Sequence, residues 1–99
     1  MKIIVSESAF TDIEDIIEYY KEQDIPNIGS EIVSAIIEHF KVLLRHPDIG
    51  RKVPEFNDEF IREIIHPPYR IVYLREATTV QIIRVWRSEK ILKLPDNET

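Results

Sequence analysis

Apolar residues recur at three- and four-residue steps in the first half of the chain, which is the period of a helix with one apolar face. The first such segment predicts a helix over residues 7–23. Ser6 suits its N-cap position, and Pro26 prevents its continuation because proline cannot occupy a helix interior. The acidic residues of this segment are spread around the helical turn, which is typical of a solvated face. The apolar face consists of Ala9, Ile13, Ile16, Ile17 and Tyr20.

A second segment with the same period predicts a longer helix that starts near Asn27 and ends near His46. Pro47 and Gly50 act as its stop signals. Its apolar positions are Ile28, Ile32, Ile36, Phe40, Leu43 and Leu44. Two helices joined by a short turn form a hairpin, and the two apolar stripes need a common surface to cover them.

The second half of the chain changes to β-branched and aromatic runs with tight connections. Strands are predicted over residues 60–65, 69–75 and 79–87, after a polar loop at 47–58. Connections this short require neighbouring strands to be antiparallel. The middle strand is apolar on both faces, which suggests that the sheet is covered by the helices and partly by something else. The run Ile3, Ile4 and Val5 predicts one more strand, at the edge of the sheet.

The resulting order of elements, β-α-α-β-β-β, predicts an α+β domain with a helical hairpin packed on a small antiparallel sheet. The 99 residues suit a single domain over 1–99, with a frayed tail at 95–99. The chain has no cysteine, and no apolar run approaches the roughly 20 residues that a membrane helix needs. These features favour a cytoplasmic protein with no membrane partner.

Charge is distributed unevenly along the chain, whose net charge is −5. Residues 1–48 contain 4 Lys or Arg and 10 Asp or Glu, a net charge of −6, whereas residues 49–99 contain 9 and 8, a net charge of +1. Phosphate contact depends on cationic side chains. Any anion-binding surface should therefore belong to the second half.

Sequence motifs for catalysis and cofactor binding are missing. Two glycines cannot build a phosphate-cradling loop, and the histidines at 39, 46 and 66 form no H-x-x-x-H pairing. We therefore expect no cofactor, no metal site and no catalytic residue of the chain's own. The remaining candidates are the arginines on the three strands. They could pair with Glu55, Glu63 or Glu89, or act together on RNA phosphates or a partner's carboxylates. The candidate contact residues are Arg62, Arg70, Arg84, Trp86, Arg87 and Lys90.

Taken in order, these residues resemble the RelE/ParE superfamily of bacterial toxins. The resemblance covers nearly the whole chain and begins with Ala9, Asp12 and Tyr20 of the first helix. It continues with Leu43, Pro47, Gly50, Arg51, Pro54, Arg62, the run Tyr69-Arg70-Ile71-Val72-Tyr73, then Val80, Ile82 and Val85-Trp86-Arg87. The resemblance implies a β-α-α-β-β-β fold, in agreement with the apolar pattern. It also implies a toxin of a type II toxin–antitoxin system, with roles in stress response or plasmid and prophage maintenance.

The superfamily contains two functional classes. RelE-like members cut mRNA on the ribosome, whereas ParE-like members are not enzymes and poison DNA gyrase. Three features favour the ParE-like class here: no His or Tyr follows Tyr73, the net charge is −5, and Arg87-Ser88-Glu89-Lys90 stands where many members have His-Gly-Arg-Arg. The alternatives are a ribosome-dependent endoribonuclease, with Arg62 and Arg84 stabilising phosphate charge, and a non-toxic antitoxin-binding member.

The resemblance also implies a partner, a ParD-like or other DNA-binding antitoxin whose tail wraps the toxin in a hetero-oligomer. Nucleic acid would then be met only indirectly, through the antitoxin. A matching tail should carry basic positions over the acidic hairpin and acidic positions over the sheet. Ile3, Ile4 and Val5 could accept an added strand from it.

Overall fold

The computed structural model describes residues 1–88, which form two helices and a five-stranded sheet. The elements are β1 (Lys2–Val5), α1 (Glu7–Glu22), α2 (Pro26–Arg45), β2 (Arg51–Lys52), β3 (Ile61–His66), β4 (Tyr69–Arg75) and β5 (Thr79–Arg87). The strands lie in the order β1-β5-β4-β3-β2. The predicted α+β class and helical hairpin are confirmed. No helix within residues 1–88 combines the length and apolarity needed to span a membrane.

The ends of the two helices follow from local side-chain chemistry. The Ser6 hydroxyl accepts a hydrogen bond from the Ala9 N–H at 3.0 Å, as expected of an N-cap. Asp24 takes a left-handed conformation, with a φ of 65°, in the turn between the helices. Pro26 then occupies the first turn of α2, where a missing N–H costs no hydrogen bond. The hairpin therefore begins and ends within about one residue of its predicted bounds.

The sheet is mixed rather than wholly antiparallel. The predicted meander of β3, β4 and β5 is confirmed by antiparallel pairing throughout. β1, however, pairs in parallel with β5, with Ile3 opposite Val80 and Val5 opposite Ile82. The helical hairpin separates β1 from the meander in sequence, so the edge strand is free to take the parallel direction. The loop predicted at 47–58 also contributes the two-residue strand β2, antiparallel to β3.

The main core lies between the helical hairpin and one face of the sheet. It is formed by Ala9, Ile16, Ile36, Phe40, Leu43, Tyr69, Ile71, Tyr73, Val80, Ile82 and Val85. β4 is the central strand, and Tyr69 to Tyr73 are all buried. On the opposite face, Glu55 of the loop after β2 forms hydrogen bonds with Arg70 of β4. That loop therefore covers part of the face that the helices leave open.

A close backbone approach joins the end of α2 to the sheet at Gly50. The Gly50 N–H donates to the Tyr73 hydroxyl at 2.9 Å, and that hydroxyl donates to the Pro47 carbonyl at 2.8 Å. A β-carbon at position 50 would lie 2.7 Å from both the Glu63 carbonyl oxygen and the Tyr73 hydroxyl. Only glycine fits here without moving the sheet backbone.

Gly50→Ala should therefore lower the free energy of unfolding by about 2–3 kcal/mol, the usual cost of overpacking a rigid site. Urea unfolding followed by circular dichroism would measure it. Gly29→Ala is the matched control, because its new β-carbon meets Tyr20 at 3.1 Å while alanine favours the helix by about 1 kcal/mol. Equal stabilities of the two variants would contradict the steric argument.

Candidate partner-binding site

The arginines predicted to form one cationic surface are separated by the fold, and most of them pair with carboxylates of the same chain. Arg70 is the most enclosed, with its side chain 5% exposed. Its Nε donates to Glu63 at 2.6 Å, and its two terminal nitrogens donate to the two oxygens of Glu55 at 3.0 and 2.9 Å. Glu63 is fully buried and also accepts from Arg51 at 2.6 Å. Arg70 thus holds the loop after β2 against the sheet, and this position lends no support to its prediction as a contact residue.

The protonation of the Glu55 carboxylate depends on its hydrogen bonds with Arg70. The hydrogen bond from Arg70 lowers the pKa of Glu55 below its ordinary value of 4.5, against an opposing effect of burial. Since the folded state favours the ionised form, the stabilisation is present above pH 4.5 and decreases as pH falls through the lowered pKa.

We expect the difference in unfolding free energy between the wild type and Glu55→Gln to shrink as pH falls below about 4.5. Urea titrations at several acidic pH values would measure that difference. Glu59→Gln is the control, because Glu59 is an exposed glutamate of the same loop region. A wild-type advantage that does not change with acidity would contradict the Arg70–Glu55 pairing.

Arg62 points toward the segment between α2 and β2 rather than toward open solvent. Its Nη1 donates to the Gly50 carbonyl at 2.9 Å, and its Nε lies 3.9 Å from the Asp48 carboxylate. The same Asp48 oxygen accepts from Arg75 at 2.9 Å. One carboxylate therefore offsets two arginines at this end of the sheet.

Arg84 is paired with Asp12 of α1, which corrects the interpretation of the helix-one acids as a wholly solvated face. Asp12 is 11% exposed and accepts two hydrogen bonds from Arg84, at 2.8 and 2.9 Å. It also accepts from the backbone N–H of Val85 at 2.8 Å. The parallel pairing of β1 with β5 ends at Ile82, so Asp12 satisfies a strand N–H beyond the reach of β1. This acid attaches the first helix to the last strand.

Trp86 and Arg87 lie at the far end of β5 and line a groove between that strand and α1. The guanidinium of Arg84 lies 4.8 Å from the Trp86 ring centre, and that of Arg87 lies 5.6 Å from the Tyr69 ring centre. We call this space the α1–β5 groove; its volume is about 420 Å³. Its lining comprises Asp12, Asp15, Ile16, Tyr19, Tyr69, Val85, Trp86 and Arg87. Two of the predicted contact residues are therefore brought together, beside an exposed tyrosine.

The tyrosine at the base of the groove is poorly suited to proton transfer. Burial, together with a hydrogen bond to Tyr20, raises the pKa of Tyr69 to about 12. An efficient general acid or base has a pKa near the working pH. Tyr69 therefore stays protonated and acts as part of the wall of the groove.

The outer surface of the helical hairpin combines exposed apolar side chains with acidic charge. Phe10 and Ile17 are seven residues apart on α1 and are 57% and 44% exposed. Ile37 and Leu44, also seven residues apart, are exposed on α2. Exposed apolar stripes with a charged border mark surfaces that bind other proteins. We call these four residues the hairpin stripes.

The predicted edge strand is found at the edge of the sheet. Ile3 is partly buried against the core, whereas Ile4 and Val5 are exposed. Within the described part of the chain, β1 has a strand neighbour on one side only. Its outer backbone groups are therefore placed to pair with an added strand.

The sequence predicted some of these residues and missed others. Arg62, Arg70 and Arg84 lie at three separate positions, and Lys90 lies outside the described residues. Asp12 was missed as a site residue, although its spacing from Ala9 and Ile16 places it on the buried side of α1 and could have revealed it. Asp48 and Glu63 give no comparable signal, because their roles depend on contacts between distant segments.

A comparison with known protein families shows which family the chain belongs to. A model described as the ParE toxin of the type II toxin–antitoxin system, parDE, matches residues 3–92. The chain belongs to the ParE toxin family. The resemblance to ParE-like toxins is therefore confirmed.

Solved structures include a similar ParE-like fold. A chain described as belonging to the chromosomal ParDE toxin–antitoxin system from P. aeruginosa superimposes with a TM-score of 0.74. The match covers 88% of this chain and 95% of the other, at 21% sequence identity. At this identity the likeness shows a shared fold. No curated protein matches the sequence.

Proposed function

We propose that this ParE family member inhibits DNA gyrase by protein contact and is neutralised by a cognate antitoxin, in the cytoplasm. The observation that carries the proposal is the internal pairing of the sheet arginines. Arg62, Arg70, Arg75 and Arg84 each lie against an aspartate or glutamate of the same chain. These four arginines, within the described residues 1–88, are therefore already paired and are poorly placed to hold RNA phosphates.

The types of residue near the α1–β5 groove also support contact with a protein. Tyr19 is 48% exposed, and Trp86 and Arg87 lie beside it. Tryptophan, tyrosine and arginine are the residue types that most often dominate binding energy at protein interfaces. The groove is thus better suited to a protein target than to cutting mRNA.

The surface of the hairpin supports an antitoxin tail of defined character. Because the hairpin stripes are apolar and the first half of the chain has a net charge of −6, a complementary tail needs apolar residues interrupted by Lys or Arg. Strand pairing along β1 would extend the same contact onto the sheet. Acidic tail positions gain no support over Arg70, which two carboxylates already occupy.

The test uses the purified full-length protein with purified gyrase, relaxed plasmid and ATP. We expect loss of supercoiling and accumulation of cleaved DNA, both prevented when a cognate antitoxin is added first. A parallel reaction supplies ribosomes and mRNA. Cutting of mRNA with gyrase unaffected would support the endoribonuclease alternative and overturn the proposal. No effect in either reaction would support a non-toxic member that only binds its antitoxin.

A further inference from the structure

The fold brings together two histidines that are 27 residues apart in sequence. His39 lies on α2 and His66 is the last residue of β3. The His39 Nε2 and the His66 Nδ1 are 3.1 Å apart, with ring centres separated by 5.1 Å and planes inclined at 70°. Both side chains are partly exposed, so solvent reaches the pair.

Two ring nitrogens at this separation can share one proton or bind one metal ion. Bonds from zinc to histidine nitrogen are about 2.0–2.1 Å long, so two such bonds at the tetrahedral angle span about 3.3–3.4 Å. The observed 3.1 Å is within about 0.3 Å of that span. The two nitrogens face each other across one hydrogen bond, so a bound ion would displace the bonded proton and both rings would turn to direct their lone pairs at it.

We propose that His39 and His66 form a two-histidine chelate for a divalent transition metal ion such as Zn²⁺ or Ni²⁺. Residues 1–88 contain no cluster of three or more histidines and carboxylates that could hold a metal, so water completes the coordination. The ion would join α2 to the turn after β3. This revises the expectation of no metal site, because sequence spacing detects ligand pairs within one element and these two ligands lie on different elements.

The chelate has a consequence for stability that does not depend on the target of the toxin. An ion that binds both elements of the folded protein, and the unfolded chain weakly, raises the melting temperature with increasing metal concentration. A second ligand on a fixed scaffold acts at high effective concentration, so losing either histidine should weaken binding by about tenfold or more.

The experiment titrates Zn²⁺ into full-length protein without an affinity tag, by calorimetry and by thermal unfolding. The variants are His39→Asn and His66→Asn, with His46→Asn as the control, because His46 is exposed at the end of α2. We expect wild type and His46→Asn to bind alike and to gain several degrees in melting temperature. Each of the other two variants should bind Zn²⁺ about tenfold or more weakly and gain less in melting temperature. Equal affinity in all four proteins would overturn the proposal.

A measurement on the wild type alone guards against variants that fold poorly. Ring resonances of the three histidines can be followed by NMR while Zn²⁺ is added. We expect shifts at His39 and His66 and little change at His46. Shifts spread evenly over all three rings, or confined to His46, would overturn the proposal.

Discussion

Arg70→Met should lower the free energy of unfolding by about 3–5 kcal/mol, the usual cost of removing one partner from a buried ion pair. The reason is the position of Glu63, whose side chain is fully buried. Without Arg70, one of its carboxylate oxygens loses its hydrogen-bond donor, and the charge keeps only Arg51 as a partner. Equilibrium unfolding in urea, followed by tryptophan fluorescence and circular dichroism, would measure the loss.

Arg51→Met is the matched control, since it removes the other arginine of the same network. The Arg51 side chain is 62% exposed, so water can take its place beside Glu63, and Arg51→Met should cost less than Arg70→Met. A double variant, Arg70→Met with Glu63→Leu, should recover much of the loss, because apolar residues can replace a buried pair at little cost. Glu55, which is 26% exposed, would then be left to solvent.

Two outcomes would contradict this account of Arg70. If Arg70→Met is as stable as Arg51→Met, the buried network does not hold the loop after β2 against the sheet. If the double variant is no more stable than Arg70→Met alone, the loss comes from packing rather than from an uncompensated charge. In either case Arg70 would again be a candidate for contact with a partner.

The elements of the fold could be predicted because each depends on local chemistry. The helical period, the Ser6 cap and Pro26 define the hairpin, and the alternating runs with short turns define β3 to β5. The direction of β1 could not be predicted. Its pairing with β5 joins residues about 77 positions apart, and an edge strand of four residues carries no signal of direction.

The candidate site was less predictable because its contacts join distant segments. Glu55 and Glu63 could be named as partners of the arginines, since they lie within the same loop and sheet region. The pairing of Asp12 with Arg84 spans 72 residues, and that of Asp48 with Arg75 spans 27. No motif spacing encodes such pairs. A row of arginines along three strands therefore suggested a shared cationic surface, whereas the fold pairs most of them internally.

The hairpin stripes lead to the second large effect, which concerns the antitoxin. Ile17→Glu should weaken antitoxin binding by about 100-fold or more, equivalent to roughly 2.7 kcal/mol. An interface that covers Ile17 would bury an unpaired carboxylate, and it would do so in a region that is already acidic. Because Ile17 is 44% exposed in the structure, the change should leave the stability of the toxin itself nearly unaltered.

Calorimetric titration of the antitoxin into each toxin variant would measure this effect. Phe60→Glu is the control, because Phe60 is 56% exposed but precedes β3 rather than lying on the hairpin. If the antitoxin covers the hairpin, only Ile17→Glu binds weakly, and co-expressed antitoxin fails to protect cells from that variant alone. If Phe60→Glu is the variant that binds weakly, the tail crosses the loops at the opposite end of the sheet. The apolar stripes on α1 and α2 would then be available to the target, and the same residues would have to be tested against gyrase.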